Sequence, residues 1–242
     1  MVLGAYSVTF SQGTSSGLNI PQISVNMNPQ GGNDLVLTLQ ILAVMTILTL
    51  APSILVMMTS FTRIIIVFHF LRQALGTTTQ PPNMLLTSLA LFLTFFVMQP
   101  VLNEANEKGI QPYIKEQITQ EQAVDSIIAP FKRFMLKSTR EEDLALFVKI
   151  SGKPKPNTID DITIFELIPA YSISELRVAF QIGFMIFIPF LVLDMIIAST
   201  LMSLGMFLLP PQLISLPIKV LLFILVDGWY LVIDSLIKSI LN

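Results

Sequence analysis

Four long apolar stretches dominate the chain, and a more polar segment separates the first two from the last two. The stretches cover residues 34–75, 83–108, 172–208 and 212–241. They are too long for strands, and the scarcity of charged residues within them is typical of helices in an apolar environment. The pattern therefore predicts an all-α, membrane-associated protein in which each stretch is one helix.

The short connections within the two pairs of stretches resemble each other. Gly76 precedes Pro81-Pro82 in the first connection, and Gly205 precedes Pro210-Pro211 in the second. Glycine readily caps a helix and proline does not continue one, so each pair is predicted to fold into a helical hairpin. The likeness also fits a weak internal repeat, although these residues mark helix ends in general.

The hairpins divide the chain into four predicted parts. These are a flexible extracytoplasmic segment over residues 1–33, a first helical hairpin over 34–108, an extracytoplasmic helical domain over 109–171 and a second helical hairpin over 172–242. The last part begins with Ser172 and Glu175, which match a capping box. As one helix, residues 172–208 would measure ~54 Å, against ~30 Å of hydrocarbon, so either Pro189 breaks it or part of it projects from the bilayer.

The middle domain carries three helix signals. Residues 123–136 place apolar side chains on one helix face, and Thr139–Glu142 match a capping box for a second helix. Thr163–Glu166 match the start of a third, short helix that Pro169 is expected to end. We therefore expect three short helices between the hairpins.

Composition excludes several classes of protein. Of 242 residues, 53% are hydrophobic and 12% charged, which is too apolar for an ordinary soluble domain. The net charge of −2 provides no basic surface for nucleic acid. With no cysteine and one histidine, the common nucleophile and metal-ligand sets are missing. We expect no catalytic site, no metal and no cofactor.

Basic residues near the connections predict the orientation. The region of the first connection carries Arg63 and Arg72 and no acidic residue, whereas residues 1–34 contain no Lys or Arg. Cytoplasmic segments carry the excess of basic residues, so we expect the connections inside the cell and the N-terminus and residues 103–177 outside it. Residues 1–17 lack the regions of a secretory signal, which leaves open whether one has been removed.

Asp194 and Lys219 are candidates for a buried ion pair in the second hairpin. They lie at similar distances before and after Met206-Phe207, so antiparallel helices would place them at one depth. An isolated charge in hydrocarbon costs roughly 3 kcal/mol, which favours pairing. A proton-carrying role for the pair is the alternative.

Asp227, Asp234 and His69 are further ionisable residues within the apolar stretches. Asp227 is a candidate for contact with a neighbouring subunit, and Asp234 is close enough to the end of its stretch to reach water. His69 is interpreted as a packed or interfacial histidine. The sequence does not choose among these roles.

Large apolar side chains cluster at the second connection. Met202, Met206 and Phe207 lie there, whereas most other methionines and phenylalanines are expected in the core or against lipid. If several copies surround a pore, such a cluster could form a flexible apolar gasket.

Long segments of the sequence resemble the FliP family of flagellar biosynthetic proteins. The resemblance covers about residues 35–238 and is most specific in residues 60–101, 139–147, 171–199 and 205–229. It implies a core subunit of the flagellar type III export gate in the bacterial inner membrane, where unfolded flagellar proteins cross a helical pore. It also implies an assembly of about five copies with FliQ and FliR, alongside FlhA and FlhB, with hairpins displaced outward from the bilayer plane.

The resemblance also implies residue roles. Asp194 and Lys219 match the family's acidic and basic pair, and the residues expected to pack subunits together are Phe134, Phe147 and Glu175. Residues 205–209 match the methionine-rich loop that closes the pore. This chain keeps Met206 but departs from the pattern at Phe207 and Leu208, so the gasket is expected to comprise Met202, Met206, Phe207 and Leu208.

Two other functions remain compatible with the residues. A proton- or solute-coupled transporter would use Asp194 and Lys219 as a relay, and an assembly scaffold would use only its apolar helices. Ion leakage after substitution of the gasket residues would distinguish a pore from a scaffold. A pH-dependent flux that is lost on substitution of Asp194 would favour the relay.

Overall fold

The computed structural model describes residues 32–77, 79–152, 158 and 161–241, and every regular element within them is helical. The all-α prediction is confirmed. The segment predicted over residues 1–33 lies almost entirely outside the described residues. The helices are α1 (Gly32–Met57), α2 (Phe61–Ala74), α3 (Asn83–Ala105), α4 (Gln111–Ile114), α5 (Gln120–Ser138), α6 (Glu141–Ile150), α7 (Ile164–Ser203), α8 (Pro211–Leu225) and α9 (Gly228–Leu241), with a π-helical turn, Asn106–Ile110, between α3 and α4.

Several of these helices are long and apolar enough to cross a membrane. By length and composition the candidate spans are Thr38–Met57, Asn83–Ile114 and Ile164–Ser203. Helices α8 and α9 would form a further span if counted together, with a bend of 66° between them. The predicted association with a membrane is confirmed on this basis.

The chain consists of two compact units, and the boundary between them falls after Thr49, within α1. The described part of the first unit is helical and exposes apolar side chains, among them Leu39, Leu42 and Leu48. The contacts described below all belong to the second unit, which begins at Leu50.

Helix α2 lies at the centre of the second unit. Ile64, Phe68 and Leu71 are fully buried, and side chains of α3, α7 and α9 pack around the first two. On α7, Gly183 lies directly under the ring of Phe70, where a Cβ atom would be 2.5 Å from the ring carbon Cγ. The missing side chain of Gly183 therefore lets the two helices approach closely.

The first apolar stretch is two helices, so the predicted single helix over residues 34–75 is wrong. Helix α1 ends at Met57 and α2 begins at Phe61. The hydroxyl of Tyr171 on α7 donates a 3.1 Å hydrogen bond to the carbonyl oxygen of Thr59 in the break. A distant helix thus satisfies a backbone group that the break leaves free, and this contact has no local sequence signal.

The start predicted for the second hairpin is also wrong, because α7 begins at Ile164. The capping box that starts it is formed by Thr163 and Glu166, whose side chains bind each other's backbone N–H groups. The hydroxyl of Ser172 instead donates to the carbonyl oxygen of Ile168 at 2.8 Å, inside the running helix. The boundary predicted after residue 171 therefore falls within a helix.

Neither proline of α7 ends the helix. It continues through Pro169 and Pro189 for 40 residues, so the predicted stop at Pro169 is wrong. At 1.5 Å per residue it is ~60 Å long, about twice the thickness of a hydrocarbon core. Of the two possibilities for Pro189, the break is excluded.

Helices α5 and α6 form in the middle segment as the pattern predicts, but their starts differ. Helix α5 begins with a capping box of Thr119 and Gln122. The predicted capping box at Thr139 is wrong, because its hydroxyl donates to the carbonyl oxygen of Met135 at 2.7 Å. The N–H of Arg140 donates instead to the hydroxyl of Ser174 on α7, at 3.0 Å.

Glycines end helices at both connections, as predicted. Gly76 and Gly205 adopt φ angles of +78° and +76°, the left-handed conformation that glycine tolerates. The returning arm of the second hairpin breaks into α8 and α9 at Asp227, which has a φ of +53°. The next residue is Gly228, where a Cβ atom would lie 2.2 Å from the ring of Phe223, so glycine is required at this bend.

Candidate functional site

The structure brings Asp194 of α7 and Lys219 of α8 together. Lys219 Nζ lies 2.6 Å from Asp194 Oδ2 and also donates to the carbonyl oxygen of Ala74 at 3.2 Å. Ala74 is the last residue of α2, where backbone carbonyls lack helical partners and attract a cation. Lys219 therefore joins α2, α7 and α8, whereas the sequence predicted only the contact between α7 and α8.

The two partners of this pair differ in burial. The side chain of Lys219 is 7% exposed and that of Asp194 is 42% exposed. Asp194 borders an open, mainly apolar cavity of about 300 Å³. The other cavity walls are Leu191, Met195, Ala198, Pro211 and Gln212. The ammonium is thus inside the unit. The carboxylate is partly exposed, but its Oδ1 atom is buried and has no hydrogen-bond partner among the described residues.

A second ion pair, which the sequence analysis missed, joins Arg63 of α2 to Glu175 of α7. Arg63 Nε donates to Glu175 Oε2 at 2.7 Å, and one terminal nitrogen donates to Oε1. The other terminal nitrogen donates to the carbonyl oxygen of Ser239 at 2.6 Å and to the serine hydroxyl at 3.3 Å. The side chains of Arg63 and Glu175 are 3% and 1% exposed. This is a bidentate pair sealed inside the unit.

The last turn of α9 receives another cation from the middle segment. Lys137 of α5 donates to the carbonyl oxygen of Leu241 at 2.7 Å. Asp234 pairs with Lys238 on the exposed face of α9, at 2.7 Å. Asp227 forms the bend before α9, so its conformation is explained within the chain, and a contact with another subunit stays a prediction.

The backbone of the second connection is fixed by a Schellman motif. The N–H of Gly205 donates to the carbonyl oxygen of Met202 at 3.1 Å, and that of Met206 donates to Leu201 at 3.0 Å. The four residues predicted to form a gasket are exposed, and they are Met202, Met206, Phe207 and Leu208. Leu208 is 99% exposed. An ordered turn thus presents apolar side chains that contact little of their own chain.

The residues expected to pack subunits together lie in different surroundings. Phe134 is partly buried, and its ring lies edge-on to Tyr171 with the ring centres 6.1 Å apart. Phe147 is half-buried on α6. Glu175 is almost fully buried and bound to Arg63 of the same chain. Subunit packing by these residues stays a prediction.

The first connection is held by Arg72. Its guanidinium donates to Asn83 Oδ1 and to the carbonyl oxygen of Pro81, the latter at 3.4 Å, and lies 3.2 Å from His69 Nδ1. Burial first, and then the positive charge of Arg72, lower the pKa of His69. Arg63 lies near the other end of α2 and is buried. Of the two arginines from which the orientation was predicted, only Arg72 therefore lies at the first connection.

The buried pair had one visible signal in the sequence. Arg63 is a charge within the apolar stretch of residues 61–68, and such charges usually have a partner. Its partner lies 112 residues away, and local spacing gives no indication of that distance.

Comparison with known proteins identifies the family. A sequence model of the FliP family matches residues 44–236. The chain is 51% identical to the flagellar biosynthetic protein FliP of Bacillus subtilis strain 168 over 202 residues, which cover 84% of this chain and 91% of the relative. It is 50% identical to the Pectobacterium carotovorum protein over 220 residues, 91% and 85% of the two chains, and 42% identical to the Borreliella burgdorferi protein over 238 residues, 97% and 93% of the two chains. The chain belongs to the FliP family.

Proposed function

We propose that this chain is a core pore-forming subunit of the flagellar type III protein export gate and is needed for flagellum assembly. Its relatives are flagellar biosynthetic proteins, and its helices are long and apolar enough to cross a membrane. In this proposal several copies, about five, assemble with FliQ and FliR in the bacterial inner membrane. FlhA and FlhB are further components, and unfolded flagellar proteins are the substrates.

The observation that carries the proposal is the exposed apolar turn at the second connection. Phe207 is 77% exposed and Leu208 is 99% exposed, although the backbone just before them is fixed by hydrogen bonds. Exposed apolar groups on an ordered turn mark a contact with another molecule or another copy. A ring of such turns would close a pore to ions and yield to an unfolded chain.

The length of α7 supports an assembly rather than a lone membrane helix. At ~60 Å it exceeds the hydrocarbon core by about a factor of two. Exposed apolar side chains nevertheless occur from Phe165 to Met202, close to both of its ends. Lipid cannot cover both ends of an upright helix of this length, so partner proteins would cover the rest.

The proposed topology keeps the predicted orientation. Both connections face the cytoplasm, and the middle segment and the N-terminus lie outside it. The contact between Lys137 and Leu241 brings the end of α9 beside α5, which supports placing the end of α9 on the same side as the middle segment.

A proton-coupled transporter that uses Asp194 and Lys219 is the competing function. The second bond of Lys219, to the carbonyl oxygen of Ala74, holds the ammonium at the end of α2 and supports a structural role. The relay predicts a pH-dependent flux that Asp194→Asn abolishes. The export gate predicts no such flux.

Native mass spectrometry of the detergent-extracted complex tests the assembly. After co-expression with FliQ and FliR, we expect several copies of this chain in one complex with both partners. A monomer or simple dimer would exclude the export gate as proposed.

Ion conductance of the reconstituted complex tests the gasket. Phe207→Gly with Leu208→Gly should make the closed complex leak ions, because the apolar ring is lost. The matched control is Met84→Gly with Leu85→Gly at the start of α3, where the side chains are 82% and 59% exposed. Equal leakage from both double variants would refute the role of the second connection.

A further inference from the structure

The last turn of α9 makes two contacts that the proposed export mechanism does not use. Arg63 of α2 donates to the carbonyl oxygen of Ser239, and Lys137 of α5 donates to that of Leu241. The last carbonyls of a helix lack helical partners and form the negative end of its dipole. Cations from two different helices therefore converge on the end of a third.

Burial distinguishes the inner of these contacts from an ordinary helix cap. Glu175 occupies one edge of the Arg63 guanidinium, and a terminal nitrogen on the other side binds Ser239. Arginine carries five N–H donors, and a buried donor without a partner lowers stability. Because both charged side chains are sealed from solvent, this terminal nitrogen of Arg63 keeps its hydrogen-bond partners only when the end of α9 is in place.

The opposite end of α9 packs against the rest of the returning arm. Trp229, in the first turn of α9, packs edge-on against Phe68 of α2 and Phe223 of α8, with ring centres 6.3 and 5.5 Å apart. The bend at Asp227 joins α9 directly to α8. Movement of α9 would therefore be passed to α8 through packed rings.

We propose that Arg63, Glu175 and Lys137 form an intrachain docking site for the C-terminal turn of α9. Occupancy of this site satisfies the terminal nitrogen of Arg63 that Glu175 does not bind, and it holds α9 against α2 and α5. Arg63 is the positioning residue of the site, because it alone binds both Glu175 and the turn. Docking of the turn does not require the export role, so failure of one leaves the other standing.

Spin labels on the full-length chain test the docking site. The sequence contains no cysteine, so Glu121→Cys on α5 and Lys238→Cys in the last turn of α9 introduce two unique attachment points at exposed positions. Double electron–electron resonance on the detergent-purified chain should give one narrow distance distribution. We expect Arg63→Met to broaden it roughly twofold, since the end of α9 would detach locally.

Arg72→Met is the matched control, because Arg72 lies on the same helix and binds the first connection rather than α9. It should leave the distribution narrow. Arg63→Lys keeps the charge without the planar fork and should give an intermediate width. Lys137→Met changes an exposed residue, so the fold is not at risk, and it should broaden the distribution less than Arg63→Met.

The outcome is decisive even if Arg63→Met does not fold. In that case the width of the distance distribution is compared between Arg63→Lys or Lys137→Met and the control Arg72→Met. If those variants keep the distribution as narrow as the control does, the two cations do not hold the turn and the docking site is refuted.

Discussion

Two ion pairs that join α7 to other helices of the second unit have similar chemistry and different surroundings. Arg63 and Glu175 are both sealed inside the unit, whereas Lys219 is buried and its partner Asp194 is 42% exposed. Breaking an ion pair costs most when the remaining charge has no access to water. The sealed pair should therefore be sensitive at both partners, and the half-exposed pair mainly at one.

The largest expected effect is at the sealed pair. Glu175→Ala and Arg63→Met should each lower the free energy of unfolding by about 3–5 kcal/mol, because each leaves a buried charge without its partner. The double variant Arg63→Met with Glu175→Leu should recover much of this loss, since it buries no charge. Thermal unfolding followed by the fluorescence of Trp229, the one tryptophan in the sequence, provides the measurement.

A double variant no more stable than the single variants would contradict the account of the sealed pair. The measurement also bears on the role of Glu175 in subunit packing. If Glu175→Ala already unfolds the isolated chain, an assembly defect in that variant has its origin within the subunit.

The expected effect at the half-exposed pair is smaller and asymmetric. Asp194→Ala should cost about 2 kcal/mol, because it leaves the buried ammonium of Lys219 with only the carbonyl oxygen of Ala74. Lys219→Met should cost about 1 kcal/mol, since the side chain of Asp194 is 42% exposed although its Oδ1 atom is buried. Thermal unfolding of both variants checks the order. Equal losses, or a larger loss for Lys219→Met, would show that exposure of Asp194 does not matter.

The sequence predicted the pair of Asp194 and Lys219 because these residues are placed symmetrically about the second connection. Asp194 and Lys219 are placed evenly about the second connection, and a hairpin brings such positions together. Arg63 and Glu175 have no comparable relation, because the break at Thr59 and the packing of α2 against α7 bring them together. Tertiary contacts created the sealed pair, and local patterns do not encode them.

The start of α7 shows the same limit. Thr163 with Glu166 and Ser172 with Glu175 are both capping-box patterns in the sequence. Only the first forms a cap, because Ser172 lies inside the running helix and Glu175 is engaged by Arg63. The glycine signals at the connections were reliable, since a left-handed conformation depends on the residue itself.

The smallest expected effect is at His69. This residue lies beside Arg72, the second arginine of α2, whose hydrogen-bond partners are neutral. Because the pKa of His69 is lowered from its ordinary value of 6.5, the folded state binds its proton less readily than the unfolded state does. The neutral imidazole thus contributes stability that is complete above about pH 6.5 and declines as the pH falls below it. Unfolding midpoints measured between pH 7.5 and about 5 should fall slightly in the parent chain and less in His69→Gln, which stays neutral throughout. If the unfolding midpoint falls equally in the parent chain and in His69→Gln, other groups cause the pH dependence. If the loss of stability in the parent chain exceeds the effect of Asp194→Ala, the first connection is sealed from solvent rather than open to it.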